Sequence, residues 1–140
     1  MVAASVDFVP DLPAIAYFRS WQGTLGQSFG RLERETVWRQ KQLAHKKTGA
    51  LATSITSKRG GTAQGLSFDA GSWTIGYAMI HEVGSRPHLI LPKQSPVLVF
   101  FWPVVGRTVF LKAVHHPGTK GYHYLTEGLA AAMRMWERGG

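Results

Sequence analysis

Residues 97–102 read Val97, Leu98, Val99, Phe100, Phe101, Trp102, six apolar side chains in succession. A strand sends successive residues to opposite faces, so Val97, Val99 and Phe101 take one side and Leu98, Phe100 and Trp102 the other. In a small two-layer domain one sheet face packs on helices and the other meets water. This segment offers water nothing on either face, and so it needs two covers. The second cover is either another helix of the same chain or another subunit, because a large exposed apolar patch marks an interaction surface. Val97–Trp102 are therefore the candidate subunit-interface residues. The apolar run extends over residues 97–105 and is broken by Pro103. That is far short of the roughly 20 residues that span a bilayer, and no membrane partner is expected.

Helical patterns flank the strands. Phe18, Trp21, Leu25, Phe29, Leu32 and Thr36 recur at steps of three and four, which predicts one long helix over residues 12–46. Asp11 suits its N-cap and Pro13 its first turn. Gly23, Gly26 and Gly30 each cost about 1 kcal/mol against Ala in a helix. Either something approaches the backbone closely there, or the helix bends or breaks in two. Thr48-Gly49 ends the element, and the period then falls to two. Alternation over residues 55–59, 66–70 and 73–77, with turns at Gly60-Gly61 and Gly71-Ser72, predicts a three-stranded antiparallel meander. A short helical turn follows over residues 78–83, closed by Gly84. The 97–102 strand then returns over residues 108–114 through a turn at Val105-Gly106. Leu125, Leu129, Met133 and Trp136 mark a C-terminal helix stopped by Gly139-Gly140. The expected fold class is α+β, one domain over residues 1–140. It has a long N-terminal helix, an antiparallel sheet of about four to five strands, and a C-terminal helix packed on the sheet. Residues 1–11 are expected to form a flexible or extended N-terminal arm.

Sixteen Lys and Arg against eight Asp and Glu give a net charge of +8, which favours polyanionic partners, nucleic acid first. At 44% hydrophobic and 17% charged residues, wholesale disorder is excluded. The cations gather at Arg31, Arg34, Arg39, Lys41, Lys46 and Lys47, against only Glu33 and Glu35. Such a cluster can engage phosphates, or it can be a solvated helix face. No helix-turn-helix, RNP or zinc-finger pattern accompanies it, so any DNA contact would be to the backbone without base readout.

The stretch His115-His116-Pro117-Gly118-Thr119-Lys120-Gly121 invites a catalytic or metal reading. Adjacent histidines point to opposite sides of a strand end, and neither H-E-x-x-H nor a paired-Asp motif is present. No cysteine is available as nucleophile or thiolate ligand. G-x-S-x-G is missing, and no acidic residue lies in residues 86–126, where four of the six histidines sit. Residues 60–65 are glycine-bearing but match no phosphate-cradling pattern. No catalytic residue, metal or cofactor is expected. The start of the chain lacks the basic and apolar regions of a signal peptide.

Four stretches together resemble one known family. The first is Thr48-Gly49-Ala50-Leu51 followed by Ser54-Ile55. The second is Ile75-Gly76 with Tyr77-Ala78-Met79-Ile80-His81-Glu82-Val83-Gly84. The third is Arg86-Pro87-His88-Leu89-Ile90 with Pro92-Lys93 and then Leu98-Val99-Phe100. The fourth is His116-Pro117-Gly118-Thr119-Lys120 with Tyr124-Leu125. In this order, over roughly residues 12–136, they resemble the neck or tail-completion proteins of long-tailed double-stranded-DNA phages, the gene-product-ten-like tail-component family. The resemblance implies a virion structural protein, assembled in the bacterial cytoplasm as a ring, commonly six-fold. The ring would lie between the portal-side connector and the tail tube, with DNA passing through it. Adaptor, stopper and tail-terminator proteins would be its neighbours or its alternative identities, and a free, basic, non-specific nucleic-acid-binding protein is the reading from another class. On this likeness Gly49, Glu82, Gly84, His88, His116, Pro117, Gly118 and Lys120 are structural motif residues, and the histidine-rich stretch is a corner. His116 and Lys120 are expected to hydrogen-bond or pair across it, with Glu82 as a candidate partner.

Overall fold

Asp11 accepts a hydrogen bond from the Ala14 N–H at 3.1 Å and caps α1, Leu12–Phe18, with Pro13 in its first turn. The computed structural model describes Ser5, residues 9–62 and residues 64–139, so most of the expected N-terminal arm lies outside the described residues. The single helix expected over residues 12–46 is two. After α1 the chain turns back through residues 19–23, and α2 runs Thr24–Leu43. A Cβ on Gly23 would collide with the Tyr17 carbonyl oxygen, and one on Gly26 with that of Ser20. The two glycines thus let the reversal fold tightly against itself, and the apolar periodicity carries on across a break it does not reveal.

Backbone contacts group the chain into two compact units, Met1–Gly76 with Tyr124–Gly140, and Tyr77–His123. In the first unit α2 leads through Gly49, at φ 78°, into a short helix α3, Ala50–Ser54. A hairpin follows, β1 (Ile55–Thr62) paired antiparallel with β2 (Gly65–Ser72) from Ile55↔Ser72 to Thr62↔Gly65. The expected third strand of the meander does not form. Trp73, Ile75 and Tyr77 give only three alternations, and Trp73 instead lies under the Lys58 ammonium, 4.3 Å from its ring centroid. The core of this unit is Leu32, Thr36 and Gln40 of α2, together with Ala44, Leu51, Ile55, Tyr124 and Ala132.

The C-terminal helix, Tyr124–Glu137, is in the same unit. It was expected on the sheet but packs chiefly on α2. A Cβ on Gly128 would meet the Gln40 backbone N at 2.8 Å and Cα at 3.0 Å, and the Trp136 Nε1–H donates to Ser28 Oγ at 3.2 Å. Small residues on this face, Gly128 and Ala132, bring the helices together. β2 is reached near Leu125, whose methyls lie 3.8 Å from where a Gly71 Cβ would stand.

The second unit opens with α4, Ala78–Val83. Then come β3 (Gly84–Ser85), β4 (His88–Ile90), β5 (Leu98–Trp102), β6 (Arg107–Leu111), β7 (Val114–His116) and β8 (Thr119–Lys120), after which the C-terminal helix of the first unit is α5. The sheet of four to five strands expected from the sequence is replaced, among the described residues, by four separate antiparallel pairs: β1–β2, β3–β8, β4–β7 and β5–β6. Five of the seven prolines, Pro87, Pro92, Pro96, Pro103 and Pro117, punctuate this unit. Each lacks a backbone donor: Pro87 and Pro117 separate β3 from β4 and β7 from β8, while Pro92, Pro96 and Pro103 lie in the connections on either side of β5. The α+β class stands, with short pairs in place of a continuous sheet.

Candidate assembly and nucleic-acid surfaces

The β5–β6 hairpin pairs Leu98↔Leu111, Val99↔Phe110, Phe100↔Val109, Phe101↔Thr108 and Trp102↔Arg107. Directly opposite residues share a face. One face is therefore Val99, Phe101, Phe110 and Thr108, and the other Leu98, Phe100, Trp102, Leu111, Val109 and Arg107. This is the two-sided division expected for the 97–102 segment. Phe101 is 61% exposed and Phe110 67%, while Leu98, Val109 and Leu111 on the other face are half-buried. Val97, just before the strand, is also half-buried. Among the described residues no third strand is hydrogen-bonded to either β5 or β6. A two-stranded hairpin is marginally stable in water at best, and this one keeps an apolar face open. Phe110, which the sequence analysis did not single out, completes that face; its parity relative to Gly106 was the available signal. In the whole of the second unit only Ala78 and Glu82 are buried.

The six cations separate into two groups. Arg31 and Arg34 are exposed on the outer side of α2, next to Trp38. Arg39 is neutralised by Glu35, with its Nε 2.7 Å from Oε1, and its guanidinium lies 5.7 Å from the Trp38 ring centroid. Lys41 is half-buried at the end of α2. Lys46, whose Nζ donates to Gln42 Oε1 at 3.5 Å, and the exposed Lys47 lie beyond the helix end. Glu33 forms an ion pair with none of them, because it turns inward, although the Arg34 charge still reaches it. Its carboxylate accepts from Arg59 Nε and Ser57 Oγ, both at 2.7 Å, and the Arg59 guanidinium in turn lies over the Trp21 ring at 4.4 Å. Burial by itself would raise the Glu33 carboxyl pKa. Hydrogen bonds from Arg59 and Ser57, with the charges of Arg59 and Arg34, outweigh that and hold it below the usual carboxylate range. Arg31, Arg34, Lys41, Lys46 and Lys47 form no ion pair within 4.0 Å among the described residues, though the Arg34 charge acts on Glu33 from farther away.

The histidine-rich stretch forms β7 and β8, and the corner expected at Pro117-Gly118 does not form. No turn or bend falls there, and β7 and β8 keep one register against β4 and β3, from Ile90↔Val114 to Gly84↔Lys120. Pro87 and Pro117, which lack an N–H, interrupt the hydrogen bonding between the two pairs. Gly118 still needs its left-handed φ of 90°, and a Cβ there would strike the Ser85 carbonyl oxygen, as one on Gly84, at φ 82°, would strike the Thr119 carbonyl oxygen. Only glycines let residues 84–87 and 118–121 run this close. His116 Nδ1 accepts the Gly118 N–H at 3.1 Å, and its ring stacks on His88 with centroids 5.0 Å apart. His88 in turn holds Arg86 O at 2.9 Å. Lys120 is exposed and pairs through its backbone with Gly84. Motif residues of the second, third and fourth stretches thus meet along one antiparallel ribbon. Among the described residues no group of three or more His, Cys, Asp or Glu is placed to hold a metal ion. No helix among them is long and apolar enough to cross a membrane.

One surface escaped the sequence analysis. Along the seam of α2 and α5, Trp38 stands 54% exposed between two depressions. One is lined by Arg31, Arg34, Met135 and Trp136, the other by Leu43, Glu127 and Arg134. Trp38 falls outside the apolar stripe that marks the buried side of α2, and that departure was the available signal. No protein-family model, curated protein or solved structure matches this chain.

Proposed function

We propose that the protein is a non-enzymatic structural subunit of a phage neck. Copies join into a ring between the portal-side connector and the tail tube, and DNA passes through the ring. The observation that carries this reading is the β5–β6 hairpin: a ribbon apolar on both faces, joined by no third strand, with Phe101 and Phe110 mostly exposed. Such an element gains its stability by docking on another surface. Docked on a different patch of an identical neighbour it makes a heterologous contact, which closes into a ring when the rotation allows. The four ordered motifs supply the kind of ring, and residues of the last three build an antiparallel ribbon. Lys46 and Lys47, exposed and without an acidic partner, suit weak phosphate contacts that let DNA slide. A tail-terminator or stopper layer of the same neck would use the same surfaces.

Light scattering after gel filtration, with negative-stain microscopy, tests the reading. The unaltered chain should assemble into rings, and Phe101→Asp with Phe110→Asp should yield monomers whose helical circular dichroism is kept. A well-behaved monomer at high concentration, absent from purified virions, would overturn it.

A further inference from the structure

Helix α1 is composed like a core element yet has no buried residue. Leu12 is 68% exposed, Tyr17 62% and Phe18 50%, and Val9 just ahead of it 85%. Seven residues do not hold a helix in water by propensity; a helix this short depends on packing a face. Its own copy offers a partial seat, since Leu12, Ile15 and Ala16 border a depression beside Arg59 and Gly60 of β1. The outer apolar side chains stay uncovered. Charge sets the segment apart as well. Residues 1–18 contain Asp7 and Asp11 and no Lys, Arg or His, so residues 19–140 carry +10.

The seam between α2 and α5 has the complementary chemistry. Trp38, Met135 and Trp136 supply apolar surface, and Arg31 and Arg34 beside them have no ion-pair partner among the described residues. We propose that residues 9–18 of one copy dock on the α2–α5 seam of the next. Apolar side chains of α1 would cover Trp38, and Asp11 would face Arg31 and Arg34, the nearby Glu35 being paired with Arg39. Arg31 and Arg34 then serve assembly, which leaves Lys46 and Lys47 as the cations open to phosphate. The inference rests on the self-association proposed above and adds a second, independent contact to it.

The chain contains no cysteine, which permits a clean test. Two single-cysteine variants, Tyr17→Cys and Gln42→Cys, carrying different tags, are mixed and treated with a short bis-maleimide. A covalent heterodimer is expected, and adding Arg31→Glu with Arg34→Glu to the Gln42→Cys partner should abolish it. Oligomers that persist without the heterodimer would overturn arm docking and leave the ring reading intact. Monomers throughout would overturn both. Binding of a single-stranded oligonucleotide that depends on Trp38, with no crosslink, would give the seam to nucleic acid and likewise overturn the proposal.

Discussion

Glu33 lies within α2 at 5% exposure, where a carboxylate is costly unless its oxygens are satisfied. Ser57 occupies one oxygen and Arg59 the other, and the lowered pKa that results ties folding to pH. A carboxyl whose folded pKa lies below its unfolded value stabilises the native state fully above the unfolded value, about 4.5. It loses that contribution as pH falls through the folded value. The thermal stability of the unaltered chain should therefore fall on acidification below about pH 4.5. Glu33→Gln should unfold at a lower temperature at pH 7 and show a shallower acid dependence, read by circular dichroism from pH 7 to pH 3. From the sequence alone Glu33 counted as one of two acids partly balancing six cations. Its inward orientation depends on β1 arriving beside α2, and no local pattern encodes that. Pro117-Gly118 misleads in the opposite direction: the dipeptide favours a turn, and Gly118 does adopt a positive φ, but the chain continues in register from β7 to β8 because it pairs with residues 84–90.

At the scale of elements, the junction of α2 and α5 is held by a glycine. Replacing Gly128 by Ala would normally gain about 1 kcal/mol of helix propensity. Here the added methyl would press on the Gln40 backbone at 2.8–3.0 Å, which cannot yield unless the helices separate. Overpacking of this kind costs about 1–3 kcal/mol. Gly128→Ala should thus lower the denaturant midpoint, whereas Gly65→Ala, with nothing within 4 Å, should leave it nearly unchanged by this mechanism. The helix pattern at the C-terminus was legible from Leu125, Leu129, Met133 and Trp136. Its docking partner was not. An apolar stripe specifies that a face is buried, but small residues such as Gly128 and Ala132 decide which surface can approach closely enough to bury it. The break between α1 and α2 was legible only as an alternative, since the apolar spacing runs through it and only the glycines betray it.

For the whole molecule, the excess of positive charge has a quantitative consequence. Each phosphate neutralised on duplex DNA contributes a slope of about −0.9 in the logarithm of affinity against that of salt. Lys46→Ser with Lys47→Ser should therefore flatten that slope by about 1.8, equally for unrelated duplexes, as measured by fluorescence anisotropy. An unchanged slope would remove these lysines from the proposed DNA-facing surface. The sequence by itself determined the α+β class, the two-sided apolar character of residues 97–102, the cationic cluster and the chain reversals at Gly49 and Gly106. Each of these is written in residue types, spacing or backbone freedom over a few positions. Tertiary structure alone decided that strands would pair two by two, that α5 would choose α2, that Glu33 would face inward, and that Trp38 would stand exposed on the seam. Those outcomes hinge on contacts between residues tens of positions apart, where close approach and burial select among surfaces that short-range patterns leave equivalent.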